Sequence, residues 1–272
     1  WAAGDAQAKG FLIGATSGRT TLNGEGLQHQ DGHSHILSST IPNCLSYDPA
    51  YAYEVAVIVK DGIKKMYVDQ ENYFYYITTI NENYSHPEMP NGSEEGIIKG
   101  MYKLIEEENA DVRLIGSGAI LREAIKAREI LKKYNIAAEV WSATSFNLLR
   151  KNGMEVERKN HLNPDKDSEL SYVEQCFSDK DIPVIAATDY MRSYSEQIRP
   201  YIKSPYHTLG TDGYGRSDSR ETLRDFFEVD SINISRSAIY ALHKKNHFSK
   251  EEIINIYKDL KVDANKPNPW EV

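Results

Sequence analysis

The sequence predicts an α/β fold built on a mostly parallel sheet with helices on both faces. Short apolar strand patterns alternate with helical patterns along the chain, and this alternation is typical of strand–helix–strand units. Composition agrees, because 40% hydrophobic and 26% charged residues over 272 positions are typical of a globular chain with a buried core. We expect one or two domains.

Charge and cysteine content exclude several classes of protein. The 40 acidic residues exceed the 32 basic ones, which leaves a net charge of −8 and disfavours a nonspecific nucleic-acid binder. Cys44 and Cys176 are too few for a disulfide framework, so we expect a reducing, cytoplasmic location. Apolar runs such as 55–59 are far shorter than a membrane span, so we expect no membrane partner.

The first predicted unit contains the order strand, helix, strand. Trp1 opens the chain without an initiator Met or a leader, and helix-forming residues follow at once, so we expect the chain to start inside an element. Residues 43–47 form a short apolar strand, and 51–59 have apolar positions at helical spacing. Residues 73–80 are aromatic and β-branched, as a strand covered on both faces requires.

A polar stretch separates this unit from the next. Residues 84–93 hold two prolines and a glycine among polar residues, a composition typical of a crossover between domains. We therefore predict a first domain over 1–88 and a second over 89–272.

The second unit repeats the alternation more plainly. We predict strands over 112–118, 138–145 and 184–188, and helices over 119–134, 146–150, 190–201, 221–226, 234–244 and 249–260. Ser249 and Glu252 form a capping box at the start of the last helix. The sequence disfavours a dinucleotide loop at Gly116, because Leu121 stands where the third glycine of that motif belongs.

A glycine-rich polar segment over 17–35 is the first candidate for chemistry. Its ligating and titratable residues are Glu25, His29, Asp31, His33 and His35. Loops on a rigid α/β scaffold often carry catalytic residues, and Glu25 with His29 makes a plausible proton-transfer pair near neutral pH.

Two alternatives stay open for this segment. It could be a solvated, turn-rich loop without chemistry. It could also bind zinc, since His29 and His33 share a helix face and His33 and His35 share a strand face, although Gly26 and Gly32 disfavour a helix there.

A second candidate lies over 209–224. Arg216 and Arg220 could hold a phosphate or a carboxylate at the helix that Ser219 caps. Arginine–aspartate pairs that include Asp212 could equally tie the segment to a domain or subunit interface.

Long motifs resemble the homodimeric bacterial pyruvate dehydrogenase family, the decarboxylating first component of the pyruvate dehydrogenase complex. The motifs are GATSGRTTLNGEGLQHQDGHSH (14–35), IPNCLSYDPAYAYEVAV (41–57), YITTINENY (76–84), LIGSGAILR (114–122), ATDYM (187–191) and LGTDGYGRSDSRE (209–221). The resemblance maps the chain onto the last third of the family's polypeptide. It implies the second half of a pyrimidine-binding thiamine diphosphate domain over 1–88 and a transketolase C-terminal-like domain over 89–272.

The resemblance also implies a reaction and its partners. The full protein would decarboxylate pyruvate with thiamine diphosphate and magnesium and reductively acetylate the lipoyl group of a dihydrolipoyl acetyltransferase, working as a homodimer. Glu25 and His29 match the family positions that face the cofactor's thiazolium and the bound intermediate. The family's Gly-Asp-Gly segment for magnesium and its glutamate for the aminopyrimidine would lie upstream of Trp1, so we assign no metal ligand and no cofactor contact to residues of this chain.

The resemblance assigns no chemistry to the second domain. The second domain would be a scaffold and dimer surface, with Asp212, Arg216 and Arg220 in structural roles. The isolated chain would be inactive without the upstream part of the same polypeptide. The alternatives are a noncatalytic dimerisation or docking fragment, a related transketolase-like 2-oxo acid enzyme and, more distantly, a metal-dependent hydrolase that uses His29, His33 and His35.

Overall fold

Two separate sheets organise the chain in the computed structural model, which describes residues 1–15 and 17–272. Thr16, within the first of the quoted motifs, lies outside the described residues. The strands are β1 Phe11–Gly14, β2 Cys44–Tyr47, β3 Phe74–Thr78, β4 Met101–Ile105, β5 Val112–Gly116, β6 Ala138–Ala143, β7 Val184–Ala187 and β8 Tyr206–Leu209.

The first sheet has the order β1-β3-β2, and all its strands are parallel. Leu45 of β2 lies opposite Tyr75 of β3, and Tyr47 lies opposite Ile77. Tyr75 and Ile77 are fully buried. The aromatic and β-branched run therefore forms the central strand, as its composition predicts.

The second sheet has the order β4-β6-β5-β7-β8. Its strands are parallel except β4, which runs antiparallel to β6 at the sheet edge. Every residue of β5 and β6 is buried. The predicted α/β fold with a mostly parallel sheet is confirmed.

Helices cover both sheets. They are α1 Ala2–Asp5, α2 Ser34–Ser38, α3 Ala52–Ile63, α4 Glu94–Lys99, α5 Leu121–Lys132, α6 Phe146–Leu162, α7 Tyr172–Phe177, α8 Ser193–Glu196, α9 Arg220–Phe226, α10 Ser231–Lys244 and α11 Lys250–Asp259. Within the described residues, none of them combines the length and apolar character needed to cross a bilayer.

Several predicted helices are confirmed at their starts. The Ser249 hydroxyl and the Glu252 carboxylate make the predicted capping box of α11. The Ser219 hydroxyl accepts a hydrogen bond from the Thr222 amide at the start of α9. Local spacing is enough to find such caps because both partners lie within one turn.

Two predicted helices were wrong in extent. The helix over 190–201 is only the single turn of α8 followed by a 3-10 turn over Arg199–Tyr201, because Pro200 lacks an amide donor and restricts the residue before it. The helix predicted over 146–150 continues to Leu162 as α6. Its later turns carry polar residues on an exposed face, which masked the helical pattern.

Three strands were missed. The opening residues do not continue as a helix: α1 ends at Asp5, and β1 follows with Leu12 and Ile13 about half exposed. β4 and β8 occupy the two edges of the second sheet. Pairing with a distant neighbour, which no local pattern reports, decides that these short edge segments are strands.

The carboxyl ends of both sheets' parallel strands meet. The Asp48 amide, directly after β2, donates to the Thr144 carbonyl, directly after β6, at 2.7 Å. The Ser145 hydroxyl donates to the Ser46 carbonyl at 2.6 Å. In α/β proteins this edge is where sites are built, so loops that leave these strands are the place to look for one.

Residues 79–93 form a crossover without a helix or strand that leads from β3 of the first sheet to α4, the helix before β4 of the second. Glu82 in this crossover accepts hydrogen bonds from Arg122 of α5 and Arg224 of α9, the latter at 2.7 Å. Burial raises the pKa of Glu82, but the two guanidinium groups outweigh it and hold the pKa at about 2. The crossover is therefore fixed to the second sheet's helices, and the domain boundary at 88/89 stays a prediction.

Candidate functional site

The polar segment after β1 lies at the meeting edge of the two sheets. We call residues 17–33 the histidine loop. It passes through a 3-10 turn over Leu27–His29 and enters α2 at Ser34. Asp31 organises that entry, because its carboxylate accepts hydrogen bonds from the His33 and Ser34 amides at 3.0 and 2.9 Å.

A buried aspartate of the second sheet anchors the start of the histidine loop. Asp189, two residues after β7, is 1% exposed. Its carboxylate accepts hydrogen bonds from the Thr20 amide at 2.9 Å, the Thr20 hydroxyl at 2.7 Å and the Thr21 hydroxyl at 2.6 Å. Gly18 adopts a φ of +91°, and a Cβ there would lie 2.3 Å from the Asp189 carboxylate. The loop is thus packed onto this aspartate.

The middle of the loop is tied to the second candidate segment. The Gln30 side chain donates to the Arg216 carbonyl at 2.6 Å and accepts from the Arg216 amide at 2.7 Å. The Arg220 guanidinium donates to the Thr21 carbonyl at 2.8 Å. The two glycine-rich segments found in the sequence therefore form one structure rather than two sites.

The charged residues of the second segment make contacts within the chain. The Asp212 carboxylate accepts from the Arg192 amide at 3.0 Å. The Arg216 guanidinium lies over the Phe226 ring, 4.3 Å from its centroid. Neither contact is an ion pair between an arginine and an aspartate, so the structural role of the segment stays a prediction.

A cavity of about 510 Å³ opens between the histidine loop and the turn over 213–215. Its lining residues are Arg19, Gln28, His29, Gln30, Asp31, His33, Ser34, Leu37, Gly213, Tyr214 and Gly215. Imidazole, guanidinium and phenol groups share this wall with an amide and a carboxylate. Such a set can bind an anion and can both donate and accept hydrogen bonds.

The structure places the two predicted catalytic residues differently. His29 is exposed and lines the cavity, and its amide donates to the Gly26 carbonyl at 3.1 Å. Glu25 is also exposed, four residues earlier in the loop, but it does not line the cavity in the described chain. Their pairing as proton-transfer groups stays a prediction.

The three histidines of the zinc alternative do not converge. His35 is fully buried, where its ring nitrogens face the Ser46 and Thr78 hydroxyls at 3.4 and 3.1 Å and its ring stacks on Tyr194. Burial lowers the pKa of His35 to about 3, so its ring is neutral. Within residues 1–15 and 17–272, no group of three or more His, Cys, Asp or Glu side chains could hold a metal ion.

Sequence reasoning missed the aspartates that build this edge. Asp189 and Asp48 each follow a buried parallel strand, and that position is the signal that could have found them. The Asp48 carboxylate accepts from the Thr78 hydroxyl at 2.7 Å. Burial raises the pKa of Asp48 to about 7.

The chain matches two family models. Residues 1–87 match the pyruvate dehydrogenase E1 component middle domain, and residues 100–230 match the transketolase-like C-terminal domain. Solved structures share the fold: a transketolase variant of Pichia stipitis superimposes with a TM-score of 0.63 over 86% of this chain and 30% of its own, at 20% identity. Transketolase from Campylobacter jejuni gives a TM-score of 0.62 over 85% of this chain and 31% of its own, at 16% identity.

Relatives with higher identity are pyruvate dehydrogenase E1 components. That of Buchnera aphidicola from Acyrthosiphon pisum is 57% identical over 99% of this chain, and that of Escherichia coli K12 is 54% identical over 99%. In both cases the chain spans 31% of the relative's length. The chain is therefore homologous to the C-terminal third of bacterial pyruvate dehydrogenase E1 components, and it matches their middle-domain model and the transketolase-like C-terminal domain model.

Proposed function

We propose that this chain is part of a thiamine diphosphate-dependent pyruvate dehydrogenase. The full protein decarboxylates pyruvate and reductively acetylates the lipoyl group of a dihydrolipoyl acetyltransferase, as a cytoplasmic homodimer. The observation that carries the proposal is the 54–57% identity to pyruvate dehydrogenase E1 components along nearly the whole chain. Because the chain spans 31% of those relatives, its substrate, acceptor and assembly all belong to the proposal.

The cofactors implied are thiamine diphosphate and Mg²⁺, and the residues present do not fit a complete site for them. Mg²⁺ prefers oxygen ligands from carboxylates and phosphates. The described part of the chain offers no group of three or more acidic, cysteine or histidine side chains able to hold a metal. We therefore assign the metal and most cofactor contacts to the portion of the relatives' length that this chain does not span, and we expect the isolated chain to be inactive.

In this proposal, the chain supplies one wall of the site and its proton-handling groups. His29 lines the cavity, and an imidazole can hold or deliver a proton at a ring nitrogen. Glu25 is an exposed carboxylate four residues earlier in the same loop. Anchoring by Asp189 and Gln30 supports this role, because proton transfer needs a loop that holds its side chains in place.

The second unit would then act as a scaffold and dimer surface. Its contribution to the site is indirect, since Asp189 and the turn over 213–215 support the histidine loop. The domain division at 88/89 belongs to the same proposal.

Activity of histidine variants tests the proposal. The assay uses a longer polypeptide that contains this chain and is as long as its pyruvate dehydrogenase E1 relatives. Its CO2 release from pyruvate is measured with added thiamine diphosphate and Mg²⁺. We expect His29→Ala to lower kcat by about 10²- to 10⁴-fold, the range for loss of a general acid or base, and Glu25→Gln to lower it as well. His161→Ala, an exposed histidine of α6, is the control.

The measurements distinguish a loss of proton transfer from a loss of folding and from a failure of the proposed function. Unfolding curves should be alike for the wild type and all three variants, because these side chains are exposed. Full activity in His29→Ala would refute the assignment of proton transfer to His29. Absence of CO2 release from the wild-type full-length protein would refute the proposed function itself.

A further inference from the structure

A buried arginine without an ion-pair partner lines the cavity. Arg19 is 2% exposed, and its side chain is one of those that form the cavity wall. Within the described residues, no carboxylate forms a salt bridge with it, and its Nε is buried without a hydrogen-bond acceptor. Buried charges in proteins are normally paired, so we expect this guanidinium to bind a negatively charged partner.

The protein contacts of Arg19 use only part of its donor capacity. Its guanidinium donates to the Gly213 carbonyl, and one terminal nitrogen lies 3.4 Å from His33 Nδ1. A guanidinium has five N–H donors, so some of its donors stay available for further hydrogen bonds. A neutral carbonyl and a ring nitrogen also leave the positive charge without a counter-ion.

The nearby carboxylates are already engaged. Asp189 binds Thr20 and Thr21, and Asp31 accepts from the amides that begin α2. Asp212 accepts from the Arg192 amide. Burial lowers the pKa of Arg19, although these three carboxylates act in the opposite direction.

We propose that the cavity is an anion site that binds a small carboxylate through Arg19. The carboxylate would face the Arg19 guanidinium, with His29 and His33 on the same wall. A planar carboxylate can accept two parallel hydrogen bonds from the guanidinium fork. That this carboxylate is the substrate's rests on the proposed function, whereas anion binding does not.

Acetate binding tests the inference without needing catalysis. Isothermal titration at pH 7 uses acetate, acetamide as its uncharged isostere, and inorganic phosphate on the full-length polypeptide. We expect acetate to bind with a Kd on the order of 1 mM, acetamide not to bind, and phosphate to bind more weakly than acetate. Equal binding of acetate and acetamide, or no acetate binding, would overturn the inference; phosphate tighter than acetate would overturn its assignment to a carboxylate.

Two variants localise the site. Arg19→Gln should weaken acetate binding by about 10- to 100-fold, the effect of losing charge-assisted hydrogen bonds. Gly32→Ala keeps the charge but displaces it, because a Cβ there would lie 2.3 Å from the guanidinium, so it should also weaken binding even if Arg19→Gln fails to fold. Arg128→Gln, which removes an ion-paired arginine of α5, is the control.

The result can be told apart from failure of the proposed function. CO2 release from pyruvate is measured in the same samples. Acetate binding that depends on Arg19 without CO2 release would refute the proposed function alone. Acetate binding unchanged in Arg19→Gln and Gly32→Ala would refute the anion site alone.

Discussion

Removing the Asp189 carboxylate should release the start of the histidine loop. The carboxylate is buried and accepts three hydrogen bonds, from the Thr20 amide and from the Thr20 and Thr21 hydroxyls. In Asp189→Ala, these three donors lose their acceptor inside the protein. Each buried donor left unsatisfied costs roughly 1–3 kcal/mol, and partial relaxation with water entry recovers some of that. We expect a loss of about 3–5 kcal/mol of unfolding free energy.

Two further variants serve as references for the stability loss in Asp189→Ala. Asp189→Asn keeps one carbonyl acceptor and the shape of the side chain, so it should cost about 1–2 kcal/mol. Asp181→Asn is the control, because that aspartate is exposed and its pair with Lys245 lies at the surface, where ion pairs contribute little.

The assay combines thermal unfolding with hydrogen exchange. Thermal unfolding should rank the proteins wild type and Asp181→Asn together, then Asp189→Asn, then Asp189→Ala. The Thr20 amide should exchange faster in Asp189→Ala, because that amide donates to the missing carboxylate. If the Thr20 amide stays as protected in Asp189→Ala as in the wild type, the anchoring role of Asp189 is wrong.

Two pH-dependent predictions follow from buried or paired carboxylates. The pKa of Asp48 is raised by burial from its ordinary value near 3.8 to about 7, so the stabilising contribution of its protonated form is present below pH 4 and is lost as pH rises to 7. The unfolding free energy of Asp48→Asn should therefore match that of the wild type at pH 4 and exceed it by roughly 2–4 kcal/mol at pH 8. A constant difference between the two pH values would contradict this. The pKa of Glu82 is lowered to about 2, so the stabilising contribution of its carboxylate is present above pH 4.5 and is lost as pH falls to 2. Glu82→Gln should lower the unfolding free energy by about 1–2 kcal/mol at pH 7, after allowing for solvent screening, and should not change it at pH 2. Urea unfolding at both pH values measures the two differences.

The parts of the fold that the sequence predicts are those with local causes. The capping box of α11 needs only Ser249 and Glu252, one turn apart. The central strand β3 is aromatic and β-branched throughout, as a strand covered on both faces requires. The edge strands β4 and β8 could not be found in this way, since partners far along the chain decide their pairing.

The candidate site, like the fold, could be predicted from the sequence only where its causes are local. The histidine loop stands out in the sequence by its glycines and histidines, and the structure places it at the meeting edge of the sheets. Its anchor does not stand out, because Asp189 lies 169 residues from Thr20. His35 looks like a ligand in the sequence, yet the structure buries it against Tyr194. Only the three-dimensional arrangement distinguishes a histidine that faces a cavity from one that faces the core.

The central claim is that this chain forms one wall of a pyruvate-decarboxylating site that needs the rest of a longer polypeptide. The most direct test measures CO2 release from pyruvate, with thiamine diphosphate and Mg²⁺ added, by a polypeptide of the relatives' full length and by the 272-residue chain alone. We predict sustained release by the longer polypeptide and none by the chain alone. No release by the longer polypeptide, or equal release by the two, would contradict the claim.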